Sequence, residues 1–195
     1  MVLPRRGTDE KATDMKLDEI SRPDAATGTT ELTTRSGYVC HVRPVRVGDE
    51  AALATFFAGV SSDDLRFRFL SGMSKVPEAR IAEMTHVDHG KTEDFVVFEA
   101  DGETIVANAL LAADEKLDTA EVAISIRHDV RGRGIGWALL DHVARQAKAK
   151  GIRKLCSIES HENHAAIELE REMGFTARTY EGDPSLVLLE ATLRD

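Results

Sequence analysis

The chain has 195 residues, 42% of them hydrophobic and 30% charged, with 34 acids against 25 bases and a formal charge of −9. That composition bounds one globular domain with room for a tail, excludes collagen-like and fully disordered classes, and, lacking any basic run, argues against a nucleic-acid partner. No apolar run approaches the ~18 residues of a membrane span, and Met1-Val2-Leu3-Pro4-Arg5-Arg6 turns polar at once, so a cytoplasmic protein without a membrane partner is expected.

Residues 1–36 hold no aromatic side chain and few apolar ones, and include the cluster Thr27-Gly28-Thr29-Thr30. They are expected to form a flexible tail, with Met15, Leu17 and Ile20 as a possible docking segment, ahead of a domain over 37–195. Tyr38 to Arg43 is β-rich and closes at Pro44. Leu53, Phe56, Phe57 and Val60 then recur at helical spacing over Glu50 to Val60. Ser61-Ser62-Asp63-Asp64 reads as the N-cap cluster of a second helix carrying Leu65, Phe69 and Leu70, and Pro77 opens a third over Glu78 to Met84. Two β-rich runs, Asp94 to Ala100 and Thr104 to Leu111, flank the hairpin signal Asp101-Gly102. From Thr119 to Ile126, Ala120, Val122, Ile124 and Ile126 alternate with Glu121, Ala123 and Ser125. After a glycine-rich turn, Ile135, Leu139, Val143 and Ala147 mark a helix ending at Gly151. The remainder reads strand (Lys154 to Ile158), helix (Asn163 to Met173), strand (Phe175 to Tyr180) and strand (Leu186 to Leu193).

The turn Arg131-Gly132-Arg133-Gly134-Ile135-Gly136 lies between a strand and a helix, where unpaired N–H groups and the positive end of the helix dipole converge. An anion belongs there. Glycines permit positive φ and close approach of backbone to phosphate, and Arg131 and Arg133 add charge-assisted donors. A P-loop would need Lys-Ser/Thr after the last glycine, whereas Trp137-Ala138 follows. A dinucleotide loop would need a third glycine where Trp137 stands. Glu159 lies beyond the offset of a ribose-binding acid.

The pattern R/Q-x-x-G-x-G/A after a strand resembles the acetyl-CoA loop of the GNAT N-acetyltransferase superfamily. Asn163-His164-Ala165-Ala166-Ile167-Glu168-Leu169 through Gly174-Phe175 is similar to that family's N-x-x-A-x-x-L-x-x-x-x-G-F stretch, and the likeness runs over about residues 38–193. It implies an α/β fold with a mixed, mostly antiparallel sheet of six or seven strands, helices on both faces, and fourth and fifth strands splayed apart. It also implies acetyl-CoA as co-substrate. The pantetheine arm would take up backbone hydrogen bonds of Ile124, Ser125 and Ile126, the pyrophosphate would lie on Arg131, Gly132, Arg133, Gly134, Ile135, Gly136 and Trp137, and Asn163 would reach the arm from the other wall or simply cap its helix.

Ser61 to Leu70 further resembles the S-x-E-D-L-R-x-R-F-F segment of the bacterial protein-lysine acetyltransferases. In that branch a glutamate ten residues before the loop's first basic position acts as general base, and Glu121 keeps that spacing to Arg131. Phe67 and Phe69 are expected to pack, and Arg66 and Arg68 to be solvated or paired with Asp63 and Asp64. Where many superfamily members carry an acid-donating tyrosine after Leu169, Glu170 stands, so no general acid is named and water is left for the role. Cys40 and Cys156 lack a C-x-x-C spacing, and the pairs His86/His89 and His161/His164 lack a third ligand, so no metal is expected. The expectation is therefore direct acetyl transfer to a primary amine. The acceptor is a protein lysine, for instance on an acyl-CoA synthetase, or a small amine; an acyl-CoA sensor without turnover is the third possibility. Monomer and homodimer stay open.

Overall fold

The computed structural model describes residues 13–15, 21–24 and 28–193. In chain order the strands are β1 (Thr13–Asp14), β2 (Ser21–Asp24), β3 (Thr29–Thr33), β4 (Val39–Pro44), β5 (Thr92–Phe98), β6 (Ile105–Ala113), β7 (Thr119–Ile126), β8 (Lys154–Ser160), β9 (Thr176–Thr179) and β10 (Leu186–Thr192). The helices α1 (Glu50–Ala58), α2 (Ser62–Phe69) and α3 (Glu78–Thr85) follow β4, α4 (Ile135–Ala149) follows β7, and α5 (His164–Glu172) follows β8. One mixed sheet results, ordered β1-β10-β8-β7-β6-β5-β4-β3-β2, with β9 also paired to β10. Pairing is antiparallel except for β1 with β10 and β7 with β8.

Ten strands stand where six or seven were expected, and the three additional ones lie in the segment read as a tail. β3 pairs with β4 from Thr30↔Val42 to Thr33↔Val39, and Leu32 is 2% exposed. A single leucine among threonines is too weak an apolar signal to announce a strand. Its β-branched neighbours and the free edge of β4 supply what hydrophobicity does not. The sheet therefore begins well before Tyr38. Residues 1–12, 16–20 and 25–27 lie outside the described residues, as does most of the docking segment proposed around Leu17 and Ile20.

Each face of the sheet buries its own cluster. Ile135, Leu139, Val143 and Ala147, the helical stripe of α4, pack on Phe95, Val97, Ala107, Leu111 and Val122. On the other face Leu53, Phe56 and Phe57 of α1, Leu65 of α2 and Ile81 of α3 cover Val96, Phe98 and Ile105. Ser61 caps α2, accepting from the Asp64 N–H at 3.2 Å. At the hairpin between β5 and β6, Asp101 Oδ1 accepts from the amides of Glu103 and Thr104 at 2.9 and 3.0 Å. Among the described residues no helix is long and apolar enough to cross a membrane.

Candidate active site

β7 and β8 are hydrogen-bonded partners over only Thr119↔Lys154, Ala120↔Leu155 and Glu121↔Cys156. Beyond that point β7 continues to Ile126 with β6 on its far side, and β8 continues to Ser160 with β10 on its far side. Their inner edges part, and backbone groups that a ladder would satisfy line the gap. Ile124, Ser125 and Ile126 lie on this parted stretch. The Ser125 hydroxyl is buried with no hydrogen-bond partner among the described residues.

The glycine loop closes the far end of the gap. Gly132 and Gly134 have φ of +73° and +81°, and Gly134 is the N-cap of α4. Gly136 serves closeness instead: a Cβ there would come within 3.0 Å of Leu169 Cδ1 and 3.1 Å of Ile126 Cδ1. No side chain caps α4 and its first turn holds no acid, so the amides of Ile135, Gly136 and Trp137 stay open to an anion. Those residues suit a pyrophosphate.

Helix α2 spans the mouth. Asp64 pairs with Arg131 on the β7 side, and Arg66 pairs with Glu162 on the β8 side at 2.6 Å. The expected pairing of Arg66 with Asp63 is only a 3.9 Å contact, and Arg68 is half-buried and makes no ion pair with Asp63 or Asp64 among the described residues. Arg68 instead turns inward. Its Nε and Nη2 are buried without hydrogen-bond partners among the described residues, and its charge acts on Asp94, Glu121 and Glu159.

Beneath α2, strand alternation assembles a polar patch. Val122 belongs to the α4-side core, which places Glu121, Ala123 and Ser125 on the opposite face. Register sets Asn108 beside Ser125 on one side and Val96 on the other, two residues along from Asp94, whose carboxylate accepts from Asn108 Nδ2. Asp94 is fully buried, and burial pushes its carboxyl up to about 7 against the pull of Arg68 and Asn108. Glu121 is the last residue of β7 paired to β8. Burial raises its carboxyl above the ordinary range, Arg68 opposes the rise, and its Oε2 has no hydrogen-bond partner among the described residues.

On the β8 wall, Asn163 makes no side-chain cap to α5. Its amide donates to Glu159 Oε2 at 2.6 Å, while burial raises that carboxyl to about 7. Glu170 accepts from Ser157 Oγ, and burial reinforced by the neighbouring Glu159 charge lifts it well above a normal carboxyl. Arg68, Asp94, Asn108, Glu159 and Glu170 thus stand around the gap, where the linear pattern named Glu121 as the one acid. The available signal was polar residues inside apolar strands, Asp94 and Asn108 above all. His89 is held by Glu93 at 2.6 Å and His86 by the Ala82 carbonyl at 2.8 Å, so neither faces the gap.

The model of the Acetyltransferase (GNAT) family matches residues 62–175, from the start of α2 to the residue after Gly174. An acetyltransferase of Pseudomonas aeruginosa is 27% identical over 149 residues, 75% of this chain and 80% of its own length. The L-methionine sulfoximine/L-methionine sulfone acetyltransferase of Pseudomonas paraeruginosa is 35% identical over 57 residues, 29% of this chain and 33% of its own. The crystal structure of the GNAT domain of S. lividans PAT superposes with a TM-score of 0.79 at 25% identity, covering 88% of this chain and all (100%) of that one. With the parted strands and the open helix N-terminus in place, these likenesses have one meaning: the chain belongs to the GNAT acetyltransferases, acyltransferases that depend on acetyl-CoA.

Proposed function

We propose that the protein moves the acetyl group of acetyl-CoA directly onto a primary amine, in the first place the side chain of a protein lysine, with Glu121 as general base. The observation that carries this is a carboxylate whose buried Oε2 has no hydrogen-bond partner among the described residues, sitting where β7 takes leave of β8. Acetyl-CoA, when bound, supplies an activated thioester. The amides of Ile135 to Trp137 with Arg131 and Arg133 are suited to its pyrophosphate, and the free backbone edge of Ile124 to Ile126 to its pantetheine arm.

The demanding step is proton removal. A lysine ammonium of pKa ~10.4 pays roughly 4.6 kcal/mol to become an amine at neutral pH. Two features of the site lower that barrier. An incoming ammonium meets Asp94, Glu121 and Glu159 around the gap, and its charge favours their ionised forms, so the site can hold a cation. Burial also raises Glu121 above the ordinary carboxylate range, which makes it a better proton acceptor, while the charge of Arg68 opposes the rise. No side chain is assigned to protonate the departing thiolate, whose intrinsic pKa near ~8.5 makes water sufficient.

The protein-lysine reading is supported by the Ser61 to Leu70 segment, which forms the helix across the mouth, and by likeness to the GNAT domain of S. lividans PAT. A second reading, transfer to a small amino acid, is favoured by one observation. Nε and Nη2 of Arg68, without hydrogen-bond partners among the described residues and near Glu121, would suit a carboxylate next to an amine, and one relative acts on L-methionine sulfoximine. Release of CoA, measured across a panel of lysine-bearing proteins including an acyl-CoA synthetase and of free amino acids, separates the two. Turnover with folded proteins and near silence from free amino acids is expected. The reverse pattern transfers the assignment to the small acceptor, and CoA binding without release from any acceptor points to a sensor.

A further inference from the structure

Arg131, the first basic residue of the glycine loop, already holds an anion from within the chain. Its Nη2 forms an ion pair with Asp64 Oδ1 in the first turn of α2, where the Asp64 side chain is only 14% exposed. Asp64 is fixed from its other side as well. Ser61 Oγ donates to Asp64 Oδ2 at 2.5 Å, and the Asp64 N–H donates to Ser61 Oγ at 3.2 Å. One carboxylate thus ties the N-terminal end of α2 to the loop. The second tether of the helix is Arg66 Nη2, which donates to Glu162 Oε2 at 2.6 Å.

A carboxylate and a phosphate make the same demand on a guanidinium, since its planar fork of donors suits either. A pyrophosphate on the amides of Ile135 to Trp137 would therefore draw on Arg131 and would also place negative charge beside Asp64. The phosphate has the stronger claim, because the open amides and the helix dipole act on it in addition. Asp64 then loses its partner. What remains to hold α2 across the mouth is the Arg66–Glu162 pair, with side chains 41% and 68% exposed and so of little worth, and the buried Leu65. Beneath that helix lie Glu121 and the polar patch, into which Arg68 of the same helix reaches.

We propose that Asp64 is a positioning residue that acts through Arg131: it competes with the pyrophosphate of coenzyme A for that guanidinium, and yielding it loosens α2 over the acceptor's side of the gap. This role rests on the proposed reading of the glycine loop as the phosphate site. Two consequences follow for turnover. CoA is held less tightly than the loop alone would hold it, which favours release of the product. The path of the acceptor under α2 opens once acetyl-CoA has taken Arg131.

Titration calorimetry on the full chain tests the competition, with CoA and pantetheine offered to the natural protein and to Asp64→Asn. The variant keeps an oxygen for the Ser61 hydroxyl but has no charge for Arg131. It should bind CoA about fivefold more tightly, and the gain should shrink in high salt. A merely structural role for Asp64 would weaken binding instead. Pantetheine, which has no phosphate, should bind both proteins equally. Unchanged or weaker CoA binding by Asp64→Asn, or an equal gain for pantetheine, overturns the proposal. Amide hydrogen exchange over Leu65 to Phe69 reads the helix: CoA should speed it about fivefold in the natural protein, and Asp64→Asn should exchange fast with or without CoA. Exchange that CoA leaves unchanged or slows in the natural protein also overturns the proposal, and that measurement stands even if Asp64→Asn does not fold. A natural protein that gives no heat with CoA defeats the reading of the loop itself, whereas CoA binding indifferent to Asp64 defeats only the competition.

Discussion

Glu121, the proposed general base, stands at a structural boundary. It is the last residue of β7 bonded to β8, so its half-buried carboxylate lies at the root of the gap, with Oε2 buried and without a hydrogen-bond partner among the described residues. Replacing it with glutamine keeps the shape and, on the proposed mechanism, removes the proton acceptor. Turnover at neutral pH should fall by about 10² to 10⁴, with acetyl-CoA affinity unchanged; a variant within twofold of the natural enzyme removes Glu121 from the mechanism. Arg68 is the counterweight. Its cation favours the ionised form of Glu121, so Arg68→Met should move the acidic limb of the kcat/KM profile to higher pH, and Arg68→Lys should return it part of the way. A packing role alone would lower the whole profile without displacing the limb. Arg66, two positions away on the same helix, is exposed and merely bridges to Glu162. Helix phase gives two neighbouring arginines different tasks.

Among the elements, the junction of β7 with α4 is the most constrained. Gly134 combines a left-handed backbone with a wall 3.2 Å from where its Cβ would be, and that wall is Thr34 Cβ, an atom close to its own backbone and unable to yield cheaply. Gly134→Ala should cost about 1–2 kcal/mol from backbone conformation alone and weaken CoA binding as the loop shifts. A fall in melting temperature together with lower CoA affinity is the expected result; an alanine variant equal to the natural protein in both would show that the loop tolerates another path. At Gly136 the neighbours are tips of flexible side chains, Leu169 Cδ1 and Ile126 Cδ1, and the same substitution there should be milder. Helix α2 belongs to this scale too. Joined to Arg131 at one end of the gap and to Glu162 at the other, it bridges the two walls that the sheet lets part.

Across the whole molecule the buried acids set a pH dependence of stability. Asp94 and Glu159 titrate at about 7 when folded and return to ordinary carboxylate values on unfolding. Between about pH 4 and 7 the folded chain therefore binds more protons than the unfolded one, so their contribution is full below that window and is lost as pH rises through it. His142 works the other way: burial lowers it to about 4 from 6.5, and its contribution is lost as pH falls through that range. Above about pH 6.5 His142 is neutral in both states and the acids alone decide. The melting temperature of the ligand-free protein should thus fall between about pH 6.5 and 8, and Glu159→Gln with Glu170→Gln should flatten the slope. A melting temperature that rises over that interval would contradict the buried-acid account.

Much of this architecture is legible in local pattern. Alternation from Ala120 to Ile126, the four-residue stripe of Ile135 to Ala147, the Asp101-Gly102 turn and the glycine loop each carry their periodicity or backbone requirement within a few residues, and each appears where that periodicity implies. β3 escaped because one leucine among threonines specifies no face until the edge of β4 is present to pair with it. What the sequence by itself determined was the order of elements from β4 onward and the glycine turn that opens α4. The tertiary structure alone decided that Arg68 points inward, that Asp94, Asn108, Glu159 and Glu170 surround the gap, and that a turn from the first strands buttresses the loop. The physical reason is that burial and charge coupling depend on sheet register and helix phase between residues far apart along the chain, and no local spacing records either.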